Sequence, residues 1–376
     1  MTAPLKVFFS CSGVGIINRG IESFFREAFD GLRGTDGLDI MLCKGRGEPK
    51  PDERVLWNLP RTGRTAQLLG ATVRRNGYVV EQLSTFPSMV RAIRRERPHV
   101  IFYSDSNLGF QLFRWRKWIG IPFKLLFSNG GPCRPPFDRT DCVHQVAPFY
   151  LEEALRAGEL PEKHFQVPYG IRVPAKPSEP CAASKLALRS RLGLPENSPV
   201  VLSVGWIRPE HKRMDYVIQE VARLPHPRPF LQLLGATDPN SREIVKLGAQ
   251  LLGSDGFAVA SVPYDKVMDY YRAADCFVLA SLREGFGRVY LEAMMHGLPV
   301  IAHRHSVMEY VIGDEESLKD LSQPGALAAA LKGVLGEIQS KAAMQRRWAS
   351  VRDRFGWDVL RTQYLEMFRR CAASGN

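Results

Sequence analysis

Short apolar runs alternate with longer amphipathic segments along the whole chain. The runs are four or five residues long, whereas the segments between them have the apolar spacing of helices. This rhythm is typical of βαβ units, in which helices join parallel strands. We therefore predict an α/β protein with strands at residues 6–10, 38–42, 100–103, 123–127, 200–204, 230–234, 258–262, 276–280 and 300–303.

A proline-rich stretch interrupts the alternation near the middle of the chain. It ends in a patch of small residues and then a new series of apolar runs begins, as expected of an interdomain connection. We predict two Rossmann-like domains, at residues 1–178 and 185–356, with a cleft between them. The prolines of the connection are Pro168, Pro174, Pro177, Pro180, Pro195 and Pro199, and the small-residue patch is 181–184.

The charge of the chain points to an anionic partner. The chain carries 51 Lys and Arg against 39 Asp and Glu, a net charge of +12. Residues 1–178 contribute 26 of the basic and 17 of the acidic residues, a net +9. The partner is a nucleic acid, a phosphate-bearing substrate or an acidic membrane surface, and charge alone does not choose among them.

The compartment is suggested by the cysteines and by the start of the chain. Seven cysteines are scattered with no C-x-x-C pair, a pattern of reduced thiols rather than of a disulfide framework or a zinc site. No apolar run approaches the roughly 20 residues of a membrane span. The first nine residues lack the features of a secretory signal. We expect a cytosolic protein.

Residues 275–300 carry the most information about chemistry. The pattern predicts a buried strand, a turn containing Gly285 and Gly287, a helix ended by Gly297 and Pro299, and a second strand. Glycines let backbone N–H groups approach a ligand, and a helix start carries roughly half a positive charge. The turn is therefore a candidate phosphate site.

Two glutamates flank this turn. Glu284 follows the strand and Glu292 lies within the helix. Ligands of open α/β sheets bind at the carboxyl ends of the strands. An ionised carboxylate there accepts hydrogen bonds from sugar hydroxyls, each of about 1.5–3 kcal/mol. Either glutamate alone fits an ordinary surface residue, but their spacing around the turn favours a ligand site.

The E-x₇-E pattern of Glu284 and Glu292 resembles the nucleotide-sugar site of the retaining GT-B glycosyltransferases of family four. The resemblance implies that Glu284 and the amides of residues 285–287 address the donor hexose and diphosphate, and that Glu292 holds the ribose hydroxyls. It also implies a GT-B fold, with two parallel sheets facing across a central cleft. The donor-binding candidates of this segment are Glu284, Gly285, Phe286, Gly287, Arg288 and Glu292.

A second segment, residues 204–213, is similar to the family's glycine-to-lysine motif. Gly205 follows a strand, and Lys212 matches the lysine that neutralises the diphosphate leaving group. Trp206 stands where the family usually has an arginine, and we assign that role to Arg208. Cations near a helix start oppose the helix dipole, which favours a bound anion here.

Other parts of the chain resemble the family less closely. Gly235 lies at the position where the chain of family members runs past the nucleotide base. Gly13 and Gly15 match the position of the family's glycine loop, which faces the acceptor and the phosphate. Glu309 matches a frequent glutamate, but residues 304–306 replace the small residues that usually precede it. Asn129 replaces an active-site histidine, whose role is not carried over. The resemblance also implies that the last helix, within residues 357–376, packs on the first domain.

We predict a transferase that moves a hexosyl group from a nucleoside-diphosphate sugar to an acceptor with retention of configuration. Lys212, Arg208 and the Gly287 helix end would stabilise the charge that builds on the departing diphosphate. Lys212, Glu284 and Arg208 are the catalytic candidates. No metal-ligand cluster is evident in the sequence and the family is usually metal-independent, so neither metal nor cofactor is predicted.

Several alternatives remain open at this stage. The chain is alternatively a non-catalytic glycan- or nucleic-acid-binding protein on the same scaffold, although no nucleic-acid-binding module is recognisable. A dinucleotide oxidoreductase is disfavoured because Asn18 breaks the G-x-G-x-x-G pattern. The basic segment 89–97 is either a solvated helix face or a peripheral contact with anionic lipid at the inner membrane face. The acceptor, which is lipid-linked or anionic on the latter view, is not identified.

Overall fold

The computed structural model describes residues 3–17, 19–72, 74–131, 133–177, 182–337 and 339–375. These residues form two compact units. The first contains residues 1–172 and 355–376, and the second contains residues 173–354. Asn18, Pro180 and Cys181, which entered the sequence argument, lie outside the described residues. Among the residues described, we find no helix with both the length and the apolarity needed to cross a bilayer.

The first unit is built on a parallel sheet whose strands follow the order β3-β2-β1-β4-β5-β6-β7. The chain runs from β1 to β2 and β3 on one side and then to β4 on the other, so the carboxyl ends of β1 and β4 form a topological switch point. Its strands are β1 (Leu5–Cys11), β2 (Leu38–Lys44), β3 (Glu53–Val55), β4 (Val100–Tyr103), β5 (Lys124–Asn129), β6 (Cys142–Gln145) and β7 (His164–Gln166), and its helices include α1 (Gly20–Leu32), α2 (Arg64–Thr72), α3 (Gly77–Glu96), α4 (Ser106–Ile119) and α5 (Pro148–Arg156).

The second unit repeats this plan with the strand order β10-β9-β8-β11-β12-β13. Its switch point lies between the carboxyl ends of β8 and β11, which pair in parallel. Its strands are β8 (Val200–Val204), β9 (Phe230–Leu234), β10 (Phe257–Ala260), β11 (Cys276–Leu279), β12 (Val300–His303) and β13 (Leu318–Lys319), and its helices are α6 (Ala182–Leu192), α7 (Met214–Ala222), α8 (Ser241–Leu252), α9 (Tyr264–Ala273), α10 (Arg288–Met295), α11 (Ser306–Ile312), α12 (Ala326–Gly336) and α13 (Lys341–Phe355).

The central strands are buried on both faces, which explains why their sequences are continuously apolar. In β11 every residue is buried, and β4 is the same. The α/β fold with parallel sheets, predicted from the alternation of runs and helices, is therefore confirmed. The predicted proline-rich connection differs in detail, because α6 (Ala182–Leu192) lies within it.

The last helix, α14 (Trp357–Ala373), belongs to the first unit. Its Phe368 ring lies 5.6 Å from Phe9 and 5.5 Å from Phe102, in the aromatic core above the sheet. Trp357 packs so closely on Gly31 and Gly170 that a Cβ on either glycine would come within 2.6 Å of the indole. Aromatic burial of this kind fixes the position of the helix.

Candidate active site

The glycines after β8 and β9 allow two loops to cross in direct contact. The Gly205 amide donates a hydrogen bond to the Leu234 carbonyl over 2.8 Å. A Cβ on Gly235 would lie 1.6 Å from the Gly205 carbonyl oxygen, so no larger residue fits there. A Cβ on Gly205 would lie 3.3 Å from three side-chain carbons of Lys212. Both glycines thus shape the surface against which the Lys212 stem lies.

Lys212 and Glu284 form an ion pair at the carboxyl edge of the sheet. The Lys212 Nζ donates to the Glu284 Oε1 over 2.5 Å, and the two side chains are 19% and 8% exposed. Lys212 lies in the loop between β8 and α7, and Glu284 lies in the loop after β11, so the pair spans the switch point of the sheet. The neighbouring Arg213 is engaged elsewhere, donating to the Leu321 carbonyl over 2.7 Å. The sequence reasoning placed Lys212 and Glu284 in one pocket, and the structure brings them into contact.

The turn after Glu284 leads directly into α10. Gly287 precedes the helix with a φ of +77°, a left-handed conformation that favours glycine. Its carbonyl accepts a hydrogen bond from the Tyr290 amide over 2.9 Å. Phe286 and Arg288 on either side are buried. The predicted order of strand, turn and helix is therefore found, with the helix spanning Arg288–Met295.

Glu292 is buried and is held by two tyrosines of α9. Its Oε1 accepts from the Tyr264 hydroxyl over 3.0 Å, and its Oε2 accepts from the Tyr271 hydroxyl over 2.9 Å. Burial and then the Glu292 carboxylate raise the pKa of Tyr271 well above its ordinary value, so the phenol stays protonated as a donor. The sequence reasoning missed both tyrosines. Their spacing of seven residues on one helix was the available signal.

Arg208 makes its contacts with groups other than the lysine and the glutamates. Its Nε donates to the Asp238 Oδ2 over 2.6 Å, and its guanidinium stacks 3.9 Å from the centre of the Trp206 ring. Asp238 is held in turn by Ser241, whose hydroxyl accepts from the Asp238 amide over 2.9 Å. Desolvation opposes ionisation of Asp238, but the hydrogen bonds from Arg208 and from the Asn240 and Ser241 amides, together with the Arg208 charge, outweigh it and lower the pKa. Asp238 was not among the candidates.

Gly13 and Gly15 lie in the first unit, in the loop after β1, whereas the other candidates lie in the second. Gly15 has a φ of +82°, and a Cβ there would lie 2.2 Å from the Arg46 carbonyl oxygen. A Cβ on Gly13 would lie 2.4 Å from the Glu22 Oε1. Gly15 is therefore required for close approach of the backbone, whereas the space beside Gly13 is filled by the Glu22 side chain.

A buried polar cluster that the sequence reasoning missed supports this loop. The Ser12 amide donates to the Asp105 Oδ2 over 2.6 Å, and the Ser12 hydroxyl donates to the Glu81 Oε1 over 3.0 Å. Arg61 pairs with the Glu81 carboxylate. Burial raises the pKa of Asp105 to about 6, in spite of the hydrogen bonds from Ser12. These groups lie at the switch point between β1 and β4.

The remaining positions of interest have ordinary structural surroundings. Asn129, at the end of β5, donates to the Gln145 Oε1 over 2.9 Å. His144 is fully buried and its Nε2 lies 2.6 Å from the Val167 carbonyl oxygen, which is consistent with a structural histidine. Glu309 is exposed and lies 3.8 Å from Arg304. Within the described ranges, no group of three or more His, Cys, Asp or Glu is arranged to hold a metal ion.

The second unit is similar to a known protein family. Residues 184–349 match the family model of glycosyl transferases group 1. The chain is 32% identical over 211 residues to a D-inositol 3-phosphate glycosyltransferase of Xylanimonas cellulosilytica, covering 54% of this chain and 50% of the relative. A similar protein of Thermobispora bispora is 31% identical over 199 residues, covering 50% of this chain and 46% of the relative. The matches thus span about half the length of these curated relatives.

Solved structures show the fold over the full chain. A sucrose-phosphate synthase from Thermosynechococcus elongatus superimposes with a TM-score of 0.75 and 21% identity, covering 99% of this chain and 100% of that one. The Anabaena protein Alr3699/HepE, solved in complex with UDP and glucose, gives a TM-score of 0.74 and 17% identity, covering 97% and 99%. The chain has the GT-B fold, and its residues 184–349 are similar to the glycosyl transferases group 1 family.

Proposed function

We propose that the protein transfers a hexosyl group from a nucleoside-diphosphate sugar to an acceptor, with retention of anomeric configuration. The observation that carries this proposal is the contact between Lys212 and Glu284 at the switch point of the second sheet, beside the glycine turn at Gly287. Open α/β sheets bind nucleotides at this place. The family match over residues 184–349 supports the same reaction class.

Lys212 is proposed to neutralise the charge that develops on the departing diphosphate. Breaking the glycosyl–phosphate bond leaves negative charge on the leaving oxygen, and a cation already fixed beside it stabilises the transition state more than the ground state. The close pairing with Glu284 holds the ammonium in place. A bound diphosphate then competes with Glu284 for the lysine. Arg208 can stabilise the same negative charge only if it exchanges its hydrogen bond to Asp238 for one to the diphosphate.

Glu284 and Glu292 are proposed to bind hydroxyl groups of the donor. Following the family resemblance, Glu284 addresses the hexose and Glu292 addresses the ribose, with the amides of residues 285–287 on the diphosphate. Tyr264 and Tyr271 hold the carboxylate of Glu292 in one orientation. A fixed orientation is expected of a group that hydrogen-bonds ligand hydroxyls at defined positions. Gly205 and Gly235 shape the adjoining surface, where the nucleotide would lie.

Transfer is proposed to proceed without a metal ion and without a protein general base. Lys212 and the backbone dipoles supply the positive charge that a cation would otherwise supply. By resemblance, the departing phosphate takes the acceptor proton on the same face of the sugar. The acceptor would be bound by the first unit, near Gly13 and Gly15.

A thermal-shift panel of UDP-, GDP- and ADP-sugars tests the proposal first, because a bound donor stabilises the fold by mass action. Transfer by Lys212→Ala, Glu284→Ala and Glu292→Ala is then compared with that of Lys246→Ala, a matched change at an exposed lysine of α8. We expect Lys212→Ala to slow turnover and Glu292→Ala to raise the donor KM. Unchanged transfer by all three site variants would remove the assignment, and donor binding without turnover would favour the non-catalytic alternative.

We also propose that the first unit contacts an anionic membrane surface through α3 and α4. The apolar residues of segment 89–97 pack into the core, as Met89 and Ile93 show, so they are not available to lipid. Exposed apolar side chains are found instead near the end of α4, where Trp115 and Trp118 are 43% and 59% exposed. Tryptophan is enriched at membrane–water interfaces because its ring is apolar and its indole N–H is polar.

Basic side chains surround these tryptophans. Arg94 of α3 stacks 4.5 Å from the centre of the Trp118 ring and donates to the Trp118 carbonyl over 3.1 Å. Arg114 and Lys117 are exposed beside them on α4. A surface that combines indoles with guanidinium and ammonium groups is complementary to anionic lipid. Peripheral attachment at the inner membrane face would place the protein beside a lipid-linked acceptor.

Flotation with vesicles of phosphatidylglycerol and phosphatidylcholine tests this contact. We expect the wild type to float with the acidic vesicles and not with phosphatidylcholine alone. Arg114→Glu with Lys117→Glu is expected to reduce the bound fraction at least about tenfold, because each basic group near the surface contributes about 1 kcal/mol. The matched control reverses Arg242 and Lys246 on α8, which are also exposed. Equal losses in both pairs, or binding that RNA displaces in the wild type, would overturn the lipid contact.

A further inference from the structure

His305 lies at the carboxyl edge of the second sheet, beside the loop that carries Glu284. It follows β12, and β12 pairs in parallel with β11 through Leu279 and Ala302. The segments that leave these two strands are therefore neighbours. Neither residue composition nor the family motif assigns a role to this histidine.

One ring nitrogen of His305, Nε2, is buried. Its Nε2 is inaccessible to solvent and has no hydrogen-bond partner within the part of the chain that the structure describes. Leaving a buried ring nitrogen without a partner costs stability, and proteins generally avoid it. The centre of the His303 ring is 6.4 Å from that of His305. The His303 Nδ1 is already used, since it accepts from the Leu321 amide over 3.1 Å.

Charge restricts what His305 can bind. Burial and the neighbouring His303 lower the pKa of His305, and these effects exceed the opposing effect of Glu284. Arg283 lowers the pKa of His305 further. The imidazole is therefore neutral near pH 7, and a neutral imidazole either donates or accepts one hydrogen bond at Nε2. An anion is disfavoured beside Glu284, whereas a hydroxyl group suits both the carboxylate and the imidazole.

We propose that the Nε2 of His305 hydrogen-bonds a hydroxyl group of the donor sugar and contributes to the choice of that sugar. This inference rests on the proposed function, because it requires a nucleotide sugar in the second unit. Small residues usually precede Glu309 in the family, so the imidazole adds both volume and a polar atom at this point. A sugar without a hydroxyl group at the matching position would leave the His305 Nε2 buried and unpaired, and such a sugar would bind more weakly.

Isothermal titration calorimetry of His305→Ala and His305→Gln tests the inference. The probes are UDP with UDP-glucose and GDP with GDP-mannose, titrated in parallel. We expect the nucleoside diphosphate Kd to stay within about twofold and the nucleotide-sugar Kd to rise roughly fivefold for His305→Ala, the effect of one lost hydrogen bond between neutral groups. His305→Gln keeps a polar terminal atom and is expected to recover much of the affinity.

Arg304→Ala is the matched control. Arg304 is exposed in the same loop and pairs with Glu309 and Glu315, so its loss should leave both kinds of Kd unchanged. A parallel loss of diphosphate and sugar-ester affinity in His305→Ala, or no loss of either, would overturn the role of His305 while leaving the proposed function intact. If the wild type binds none of the four probes and none of the ADP-sugars of the thermal-shift panel, both the role of His305 and the proposed function are overturned.

Discussion

Replacement of Tyr271 by Phe removes one hydrogen bond that orients Glu292 and leaves the Glu292 carboxylate itself in place. The Tyr271 hydroxyl is fully buried and donates to the Glu292 Oε2 over 2.9 Å. The change deletes one oxygen atom and keeps the ring, which packs against Phe277 with a centre-to-centre distance of 5.8 Å. The carboxylate keeps its hydrogen bond from Tyr264. The expected effects are thus a loss of stability and a loss of orientation at a binding group.

The magnitude follows from the charge and burial of this hydrogen bond. Hydrogen bonds to ionised groups contribute about 1.5–3 kcal/mol, so the unfolding free energy is expected to fall by about 2 kcal/mol. For a domain of this size that corresponds to a decrease in Tm of roughly 4–8 °C. The donor KM is expected to rise about fivefold, as if ribose contacts worth about 1 kcal/mol were lost. Since Lys212 and Glu284 are unchanged, kcat should remain within about twofold.

Differential scanning calorimetry and initial-rate kinetics measure these quantities. Tyr264→Phe is the matched control, because Tyr264 is 39% exposed and water can replace its hydroxyl as a donor to Glu292. Its cost is expected to be below about 1 kcal/mol. An unchanged Tm and KM in Tyr271→Phe would refute the reasoning. A lower Tm with an unchanged KM would show that Tyr271 stabilises the fold without orienting Glu292 for the donor.

Three further predictions concern other parts of the two units. Burial lowers the pKa of His144 to about 4. The neutral form is favoured on folding, so the stability it contributes is complete above an unfolded pKa of about 6.5 and is lost as the pH falls. Urea unfolding at pH 7 and pH 5 should show about 2 kcal/mol of acid destabilisation that His144→Gln removes. Gly235→Ala, whose Cβ would lie 1.6 Å from a backbone oxygen, should lose at least about 3 kcal/mol, whereas Gly333→Ala in an open stretch of α12 should be neutral or slightly stabilising, as thermal unfolding will show. Glu284→Gln releases Lys212 from its carboxylate, so calorimetry should show tighter binding of the nucleoside diphosphate, by about fivefold, alongside slower sugar transfer.

The central strands were predictable because their burial determines the local sequence pattern. A strand covered on both faces reads as an unbroken apolar run, as in β4 and β11. The edge strands β3 and β13 have three and two residues, too few to show any period. Strand β6 was missed for another reason. It contains His144 and Gln145, whose burial depends on hydrogen bonds to distant segments, including one to the Val167 carbonyl.

The same distinction applies to the candidate site. Glu284 and Glu292 lie on one strand–turn–helix unit, so their relation was evident from spacing alone. The partners that fix these groups come from other elements: Lys212 from the loop after β8, and Tyr271 from α9. Such contacts depend on the order of strands in the sheet, which single-sequence periodicity does not encode. The pairing of Arg208 with Asp238 is of the same kind, because it joins the loops after β8 and β9.

The ion pair at the switch point has a consequence for how a donor would be recognised. Lys212 and Glu284 neutralise each other across two loops, so the site carries little net charge from this pair before a nucleotide enters. A free phosphate offers a partner to the lysine but none to the carboxylate, and separating the pair then leaves a largely buried anion unpaired. A nucleotide sugar offers an anion to Lys212 and hydroxyl donors to Glu284 at the same time. The pair therefore favours a ligand that joins a diphosphate to a polyol, and this is the bond that a glycosyltransferase has to break.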